Sequence, residues 1–164
     1  MSQITGAEVP DRVAQLFDGR DLAGKLGLGF LLVTVDPDGR PRPCQLSAGE
    51  VLVTGPRAVR LGVWAGTSTA RNLAAGSAVL VCVIVPGTVC YLRGRARPLQ
   101  VPEELRLAGF ELAVESAETD SHPGLPVTSG IRFEVTDPDP GTVLASWADQ
   151  LAAIRTAGLA GSPA

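Results

Sequence analysis

Eight consecutive apolar residues, Ala78-Val-Leu-Val-Cys-Val-Ile-Val85, run directly into Pro86-Gly87 and then into Thr88-Val-Cys-Tyr-Leu-Arg-Gly-Arg-Ala-Arg-Pro98. An apolar run of that length is far short of a membrane span and reads as a buried strand, with Pro-Gly as the turn of an antiparallel hairpin. The turn fixes the register, setting Cys82 opposite Tyr91 and Val83 opposite Cys90. On the returning strand Arg93, Arg95 and Arg97 share one face with Val89 and Tyr91, while Cys90, Leu92, Gly94 and Ala96 occupy the other. Small inward residues suit the tapered interior of a small barrel. The arginine row then forms a solvated outer face, or lines a subunit interface or an anion-bearing groove.

The same strand-and-turn pattern recurs along the chain. Strands are expected over 29–35, 41–47, 50–54, 58–64 and 131–136, with Asp36-Pro-Asp-Gly39 as a strong turn. Helices are expected over 10–18, where Pro10 precedes a stripe of Val13, Leu16 and Phe17, and over 69–75. A further helix is expected from Pro102-Glu-Glu to Ala117, on the strength of its acidic first turn, and a last one over 143–155. Short strands at close spacing with few helices predict a mainly β (α+β) chain built on a small antiparallel barrel. We expect one domain over 1–164, with an N-terminal helix and connector over 1–27 and a flexible tail over 158–164.

A net charge of −3 and a pI near 5.1 argue against nucleic acid or an anionic membrane as partner. The N-terminus shows no basic region followed by an apolar stretch, so a cytoplasmic protein is expected. Cys82 and Cys90 point to opposite faces of their hairpin, and with Cys44 they read as free, buried thiols. No C-x-x-C occurs, and the single histidine, His122, sits in a proline-flanked loop, so neither a metal set nor a nucleophilic triad is expected. Gly24-Lys-Leu-Gly-Leu-Gly29 precedes a strand and fails the dinucleotide-binding context.

Between the 58–64 strand and the next helix stands Trp64-Ala-Gly-Thr-Ser-Thr-Ala-Arg-Asn-Leu73. Thr67, Ser68 and Thr69 meet the free N–H groups and the positive pole of a helix start, which makes either a phosphate cradle or an ordinary N-cap. Arg42 and Arg71 flank it. Gln45 and Ser47 lie on one face of their strand, and Trp64 faces away from Val59, Leu61 and Val63. The Trp64 indole is placed to stack on a ring, to pack at a dimer interface or to stand at a rim.

The ordered pattern over residues 28–98 resembles the FMN-binding split barrel of the pyridoxamine 5'-phosphate oxidase-like superfamily. It comprises Val33-Thr-Val-Asp-Pro-Asp-Gly-Arg-Pro-Arg42, Thr67-Ser-Thr-Ala-Arg-Asn-Leu73 and Val89-Cys-Tyr-Leu-Arg-Gly-Arg-Ala96. The resemblance implies Greek-key split-barrel topology, a homodimer, and FMN in the groove between subunits. It implies cofactor contacts from Arg42, Gln45, Ser47, Trp64, Thr67, Ser68, Thr69, Arg71 and Asn72. Ser68 and Thr69 stand where a basic pair is often found in that family, so two neutral hydroxyls replace two cations. Charge-assisted bonds to phosphate are about twice as strong as neutral ones.

The function so implied is FMN-dependent oxidation or reduction of a small molecule. The flavin supplies the redox chemistry and the protein supplies orientation, so no catalytic residue is named. The alternatives are a deazaflavin or haem in place of FMN, and a non-enzymatic binding or interaction protein that kept the barrel but lost or changed its cofactor.

Overall fold

The computed structural model describes residues 1–137 and 139–161. In chain order the elements are β1 (Ser2–Gly6), α1 (Asp11–Leu16), β2 (Leu28–Val35), β3 (Pro41–Ser47), β4 (Val51–Gly55) and β5 (Ala58–Trp64). There follow α2 (Ser68–Ala74), β6 (Ala78–Val85), β7 (Thr88–Leu99), β8 (Leu107–Asp120), β9 (Ile131–Arg132) and α3 (Pro140–Thr156). The strands pair in the order β3-β2-β6-β7-β8-β5-β4, with β1 added to β8 and β9 to β2. All of these pairings are antiparallel. The sheet curls into a half-barrel with three α-helices packed around it: a mainly β, α+β split barrel.

The β6–β7 hairpin has the expected register, Cys82 opposite Tyr91 and Val83 opposite Cys90. Arg93, Arg95 and Arg97 form an exposed outer row, the first two with partners in their own chain. Arg93 pairs with Glu118, Arg95 donates to the Gly76 carbonyl at 2.8 Å, and Arg97 stands opposite Glu111 in register. The alternate face enters the core, where Leu92 and Cys90 are fully buried beside Val81, Val83, Leu61 and Leu112. From α1 and the turn after it, Val13 and Phe17 close one end, with the Phe17 ring edge-on to Phe30 at 4.7 Å. Each such large apolar side chain contributes about 1.5–3 kcal/mol of burial free energy. Cys90 is buried, whereas Cys44 and Cys82 are only partly so, and the three thiols are free.

The helix expected over 102–117 is instead one 3-10 turn, Glu103–Leu105, followed by the strand β8. Its Leu, Ala and Glu content favours helix only by tenths of a kcal/mol per residue, a preference that tertiary pairing overrides. Both edges of β8 are occupied, by β7 on one side and by β5 and then β1 on the other. Phe110, Leu112 and Val114 point inward while Ala113 and Glu115 point out. A bulge opposite Arg93 and Gly94 resets the alternation so that Ala117 is buried again.

The strand expected over 131–136 shortens to Ile131–Arg132, because after Phe133 the chain leaves the sheet. The N-terminal residues expected as part of a connector include the strand β1. Gly158 accepts from Gln100 N–H at 2.9 Å and Ala160 donates to the Pro98 carbonyl at 3.0 Å, so the expected tail begins as a tethered segment. Its residues 162–164 lie outside the described residues. Among the described residues no helix is long and apolar enough to cross a membrane.

Gly94 marks the tightest approach within the β7–β8 ladder, since a Cβ there would collide with the Ala113 carbonyl oxygen. That contact is backbone on backbone and cannot be relieved by a rotamer change. Gly94→Ala should therefore cost about 1–3 kcal/mol or more, the range for overpacking a well-filled core. Urea denaturation would show it as a lower midpoint, and an unchanged midpoint would mean the bulge can shift freely.

Candidate functional site

Asp139 starts α3: its Oδ1 accepts from the N–H groups of Gly141 and Thr142 at 2.9 and 3.2 Å, with Pro140 in the first turn. The Thr142 hydroxyl, followed by those backbone bonds, holds the Asp139 carboxyl below its usual range. Trp147, Gln150, Leu151 and Ile154 form the buried stripe of the helix. Trp147 lies directly on Gly49, where any side chain would meet the indole ring. The last turn is tied to the barrel by Arg60 of β5. Its Nη1 donates to the carbonyls of Ile154, Arg155 and Ala157 at 2.7, 2.9 and 2.9 Å, and its Nε to Glu111 at 3.0 Å. A cation on the terminal carbonyls satisfies groups that the helix itself leaves unpaired.

Between α3, the Phe133–Asp137 segment and the open end of the barrel lies a cavity of about 510 Å3. Ser47 at the end of β3, Glu50 in the β3–β4 turn and Trp64 at the end of β5 form its barrel side. Glu50 Oε2 accepts from the N–H and the hydroxyl of Ser47 at 2.7 and 2.8 Å. Burial pushes the Glu50 carboxyl above its usual range, and the two Ser47 bonds oppose that shift only in part. From α3, Gln150 Nε2 donates to Ser146 at 3.2 Å, while its Oε1 is buried with no hydrogen-bond partner in the described structure. Buried polar atoms are rarely left unpaired, and an orphan on a cavity wall is a place for a ligand's donor.

The turn into α2 borders this cavity through Trp64. Thr67 Oγ1 donates to the Trp64 carbonyl at 2.9 Å and accepts from Ala70 N–H at 3.2 Å, which makes Thr67 the N-cap. Arg71 folds back over the same turn, donating from Nη1 to the Gly66 carbonyl and from Nη2 to Ser68 Oγ, both at 2.8 Å. Its exposed guanidinium thus sits at the positive end of the helix. Thr69 is buried beside the Cys44 thiol and faces away from the turn's open side.

Arg42 and Asn72 belong to a third cluster. Arg42 Nε reaches both Asp36 oxygens at 2.7 and 2.9 Å, and Asn72 Nδ2 donates to Asp36 Oδ1 at 2.8 Å and to the buried Thr34 hydroxyl at 3.1 Å. The Arg42 guanidinium, followed by the Asn72 amide, holds the Asp36 carboxyl below its usual range. Asn72 is buried, so its role is to fasten α2 to the 34–36 end of β2. Gln45 is exposed on β3 and lies outside the cavity wall.

The sequence-derived set therefore divides: Ser47 and Trp64 share the cavity, Thr67, Ser68 and Arg71 share the turn, and Arg42 and Asn72 meet on Asp36. Glu50, Gln150 and Phe133 were absent from it. For Gln150 a signal existed, since a glutamine stands on the apolar stripe three residues after Trp147 and four before Ile154. Glu50 carried none, because a glutamate after a tight turn normally faces water. Among the described residues no group of three or more His, Cys, Asp or Glu could hold a metal ion.

Glu50 has a measurable consequence for stability. Its folded carboxyl titrates above its unfolded value, so the native state holds the proton more tightly and this group's contribution falls as pH rises through that interval. Glu50→Gln removes the dependence. The melting temperature of the variant relative to the parent should rise as the pH increases from about 4 through the raised folded-state titration. A difference that does not change with pH would show that the carboxyl is as well solvated as in the unfolded chain.

No family model matches the chain. The uncharacterized protein YclD of Bacillus subtilis (strain 168) is 28% identical over 139 residues, which are 84% of this chain and 89% of YclD. A solved protein from Lactobacillus delbrueckii, assigned as a pyridoxamine 5'-phosphate oxidase, superposes with a TM-score of 0.56 at 18% identity, over 71% of this chain and 98% of its own. An F420 reductase superposes with a TM-score of 0.51 at 18% identity, over 66% and 98% of the two chains. HupZ of group A Streptococcus does so at 0.50 and 13%, over 77% and 99%. At such identities the shared property is the path of the backbone: the chain has the split-barrel fold of the pyridoxamine 5'-phosphate oxidase-like proteins.

Proposed function

We propose that this protein binds FMN and uses it to oxidise or reduce a small molecule, working as a cytoplasmic homodimer. The observation that carries the reading is Arg71. A guanidinium folded over a helix start lies at the positive pole, where a cation is unfavourable and an anion is favoured. A phosphate would relieve that arrangement. It would be held by Arg71, by the Ser68 hydroxyl (whose oxygen accepts from Arg71, leaving its proton to donate) and by the first-turn N–H groups of Ser68 and Thr69. FMN would supply hydride or electron transfer, and the exposed Trp64 would border its ring. Arg42 is already engaged by Asp36, and Thr67 is occupied as the cap, so both stand behind the site.

A deazaflavin is the alternative occupant, supported by the likeness to an F420 reductase. The binding-protein reading draws on Thr69, whose burial withdraws one of the two hydroxyls that replace a basic pair. Haem is the least supported, because His122 sits exposed on a loop outside this cavity.

Flavin titrations by fluorescence test the proposal. Arg71→Ala should weaken FMN binding by about 1.5–3 kcal/mol, the range for a hydrogen bond to a charged group, while riboflavin binding stays nearly unchanged. Arg42→Ala should have the smaller effect of the two. Thr67→Ala should lower fold stability by about 1 kcal/mol through loss of the cap. Equal losses for FMN and riboflavin on Arg71→Ala would remove the phosphate from this turn. Light scattering should report a two-fold assembly, since two-fold pairing is the commonest closed symmetry. A monomer at micromolar concentration would overturn the dimer.

A further inference from the structure

We propose that the cavity beside Trp64 binds a planar organic cation, a ring bearing an amine, amidine or guanidinium group. One acceptor in its wall lacks a donor, and a carboxylate beside it lacks a cation. Glu50 carries a partly buried carboxylate whose hydrogen bonds come from neutral Ser47 groups alone, and Gln150, 8% exposed, presents an unpaired Oε1. Among the described lining residues there is no Lys, Arg or His, and Glu134 and Asp137 add further negative charge at the wall. The cavity therefore offers acceptors and negative potential to whatever enters, and its walls focus that field.

Its remaining surface is apolar and aromatic. Phe133 and Trp147 meet edge-on, with ring centroids 6.4 Å apart, and Trp64, 55% exposed, lines the same cavity. Aromatic faces attract cations and accept flat rings. At about 510 Å3 the space suits a small ring compound. Donors on the ligand would complete Gln150 and pair with Glu50, and a neutral or anionic ring of equal size would leave the carboxylate without a cation. Binding of such a cation does not depend on the flavin reading; that the cation is the substrate of the redox reaction does.

Both tryptophans of the chain line this cavity, so the whole tryptophan emission reports on it. The test titrates the purified protein with benzamidine, and with benzoate and benzyl alcohol as anionic and neutral rings of similar size. Benzamidine should quench saturably and bind at least about tenfold more tightly than either control. Glu50→Gln should weaken benzamidine by at least about tenfold and leave benzyl alcohol unchanged. Gln150→Met, which keeps the volume and removes the acceptor, should weaken benzamidine severalfold with unchanged circular dichroism.

Benzoate binding as tightly as benzamidine, or benzamidine indifferent to Glu50→Gln, would overturn the proposal. A parallel FMN titration separates the two readings. Loss of cation selectivity with FMN binding intact sinks the cation site alone. Selective benzamidine binding without FMN binding supports the cation site and sinks the FMN reading.

Discussion

Arg60 joins the two halves of the architecture on which the candidate site depends. The barrel would exist without it, because β5 is paired on both edges. The wall of the cavity would lose its polar tie to the barrel. Helix α3 buries Leu151 and Ile154 on Leu52 and seats Trp147 on Gly49, and its last carbonyls converge on a single guanidinium. That guanidinium is itself fixed by Glu111 across the β5–β8 ladder. Removing it would strand a half-buried carboxylate and three carbonyls at once, an asymmetry that makes lost partners costlier than the bonds themselves are worth. The position of Gln150 and Trp147 on the cavity wall follows from this anchor together with that packing.

Trp64 divides two electrostatic environments that lie within a few residues of each other. On one side, Arg71 and the free donors of the α2 start present positive potential. On the other, Glu50, Glu134 and Asp137 surround a cavity that holds no cation among its described lining residues. A flavin phosphate and a cationic ring would each find the environment suited to its charge, with an exposed indole between them. Arg42, a prominent cation of the sequence pattern, pairs with Asp36. Its charge is absorbed by Asp36, and the Arg42–Asp36–Asn72 chain locks α2 against the β2–β3 hairpin.

The barrel was legible where turn chemistry and alternation agreed. Pro86-Gly87 determined the β6–β7 register to the residue, and the outward arginines followed from period two. It was illegible in β8, whose Leu, Ala and Glu content suits a helix and whose strand character comes from neighbours on both edges. Site residues showed the same contrast. Trp64 and Thr67 could be placed from local pattern, one opposite the core face and one before a helix. The meeting of Glu50 with Gln150 could not be, because a hundred residues (50 to 150) separate them and only α3 brings them to one cavity. Arg42 shows a related limit: a one-dimensional pattern displays the cation but not its pairing with Asp36, six residues earlier.

Glu50 and Gln150 both cost the fold something. A carboxylate shielded from water without a cation, and an amide oxygen without a donor, are each less stable than an apolar side chain of similar volume would be. Neither holds the barrel together, whose core closes through Phe17, Phe30, Leu92 and Leu112 elsewhere. Departures from polar satisfaction concentrate where a protein binds something, because the missing partner is supplied by the ligand. Gln150 Oε1 is the one buried side-chain polar atom without a partner among the described residues, and it lies on the wall that also carries Glu50. That coincidence, which neither the arginine row nor the Asp36 cluster shares, is what the proposed cation site rests on.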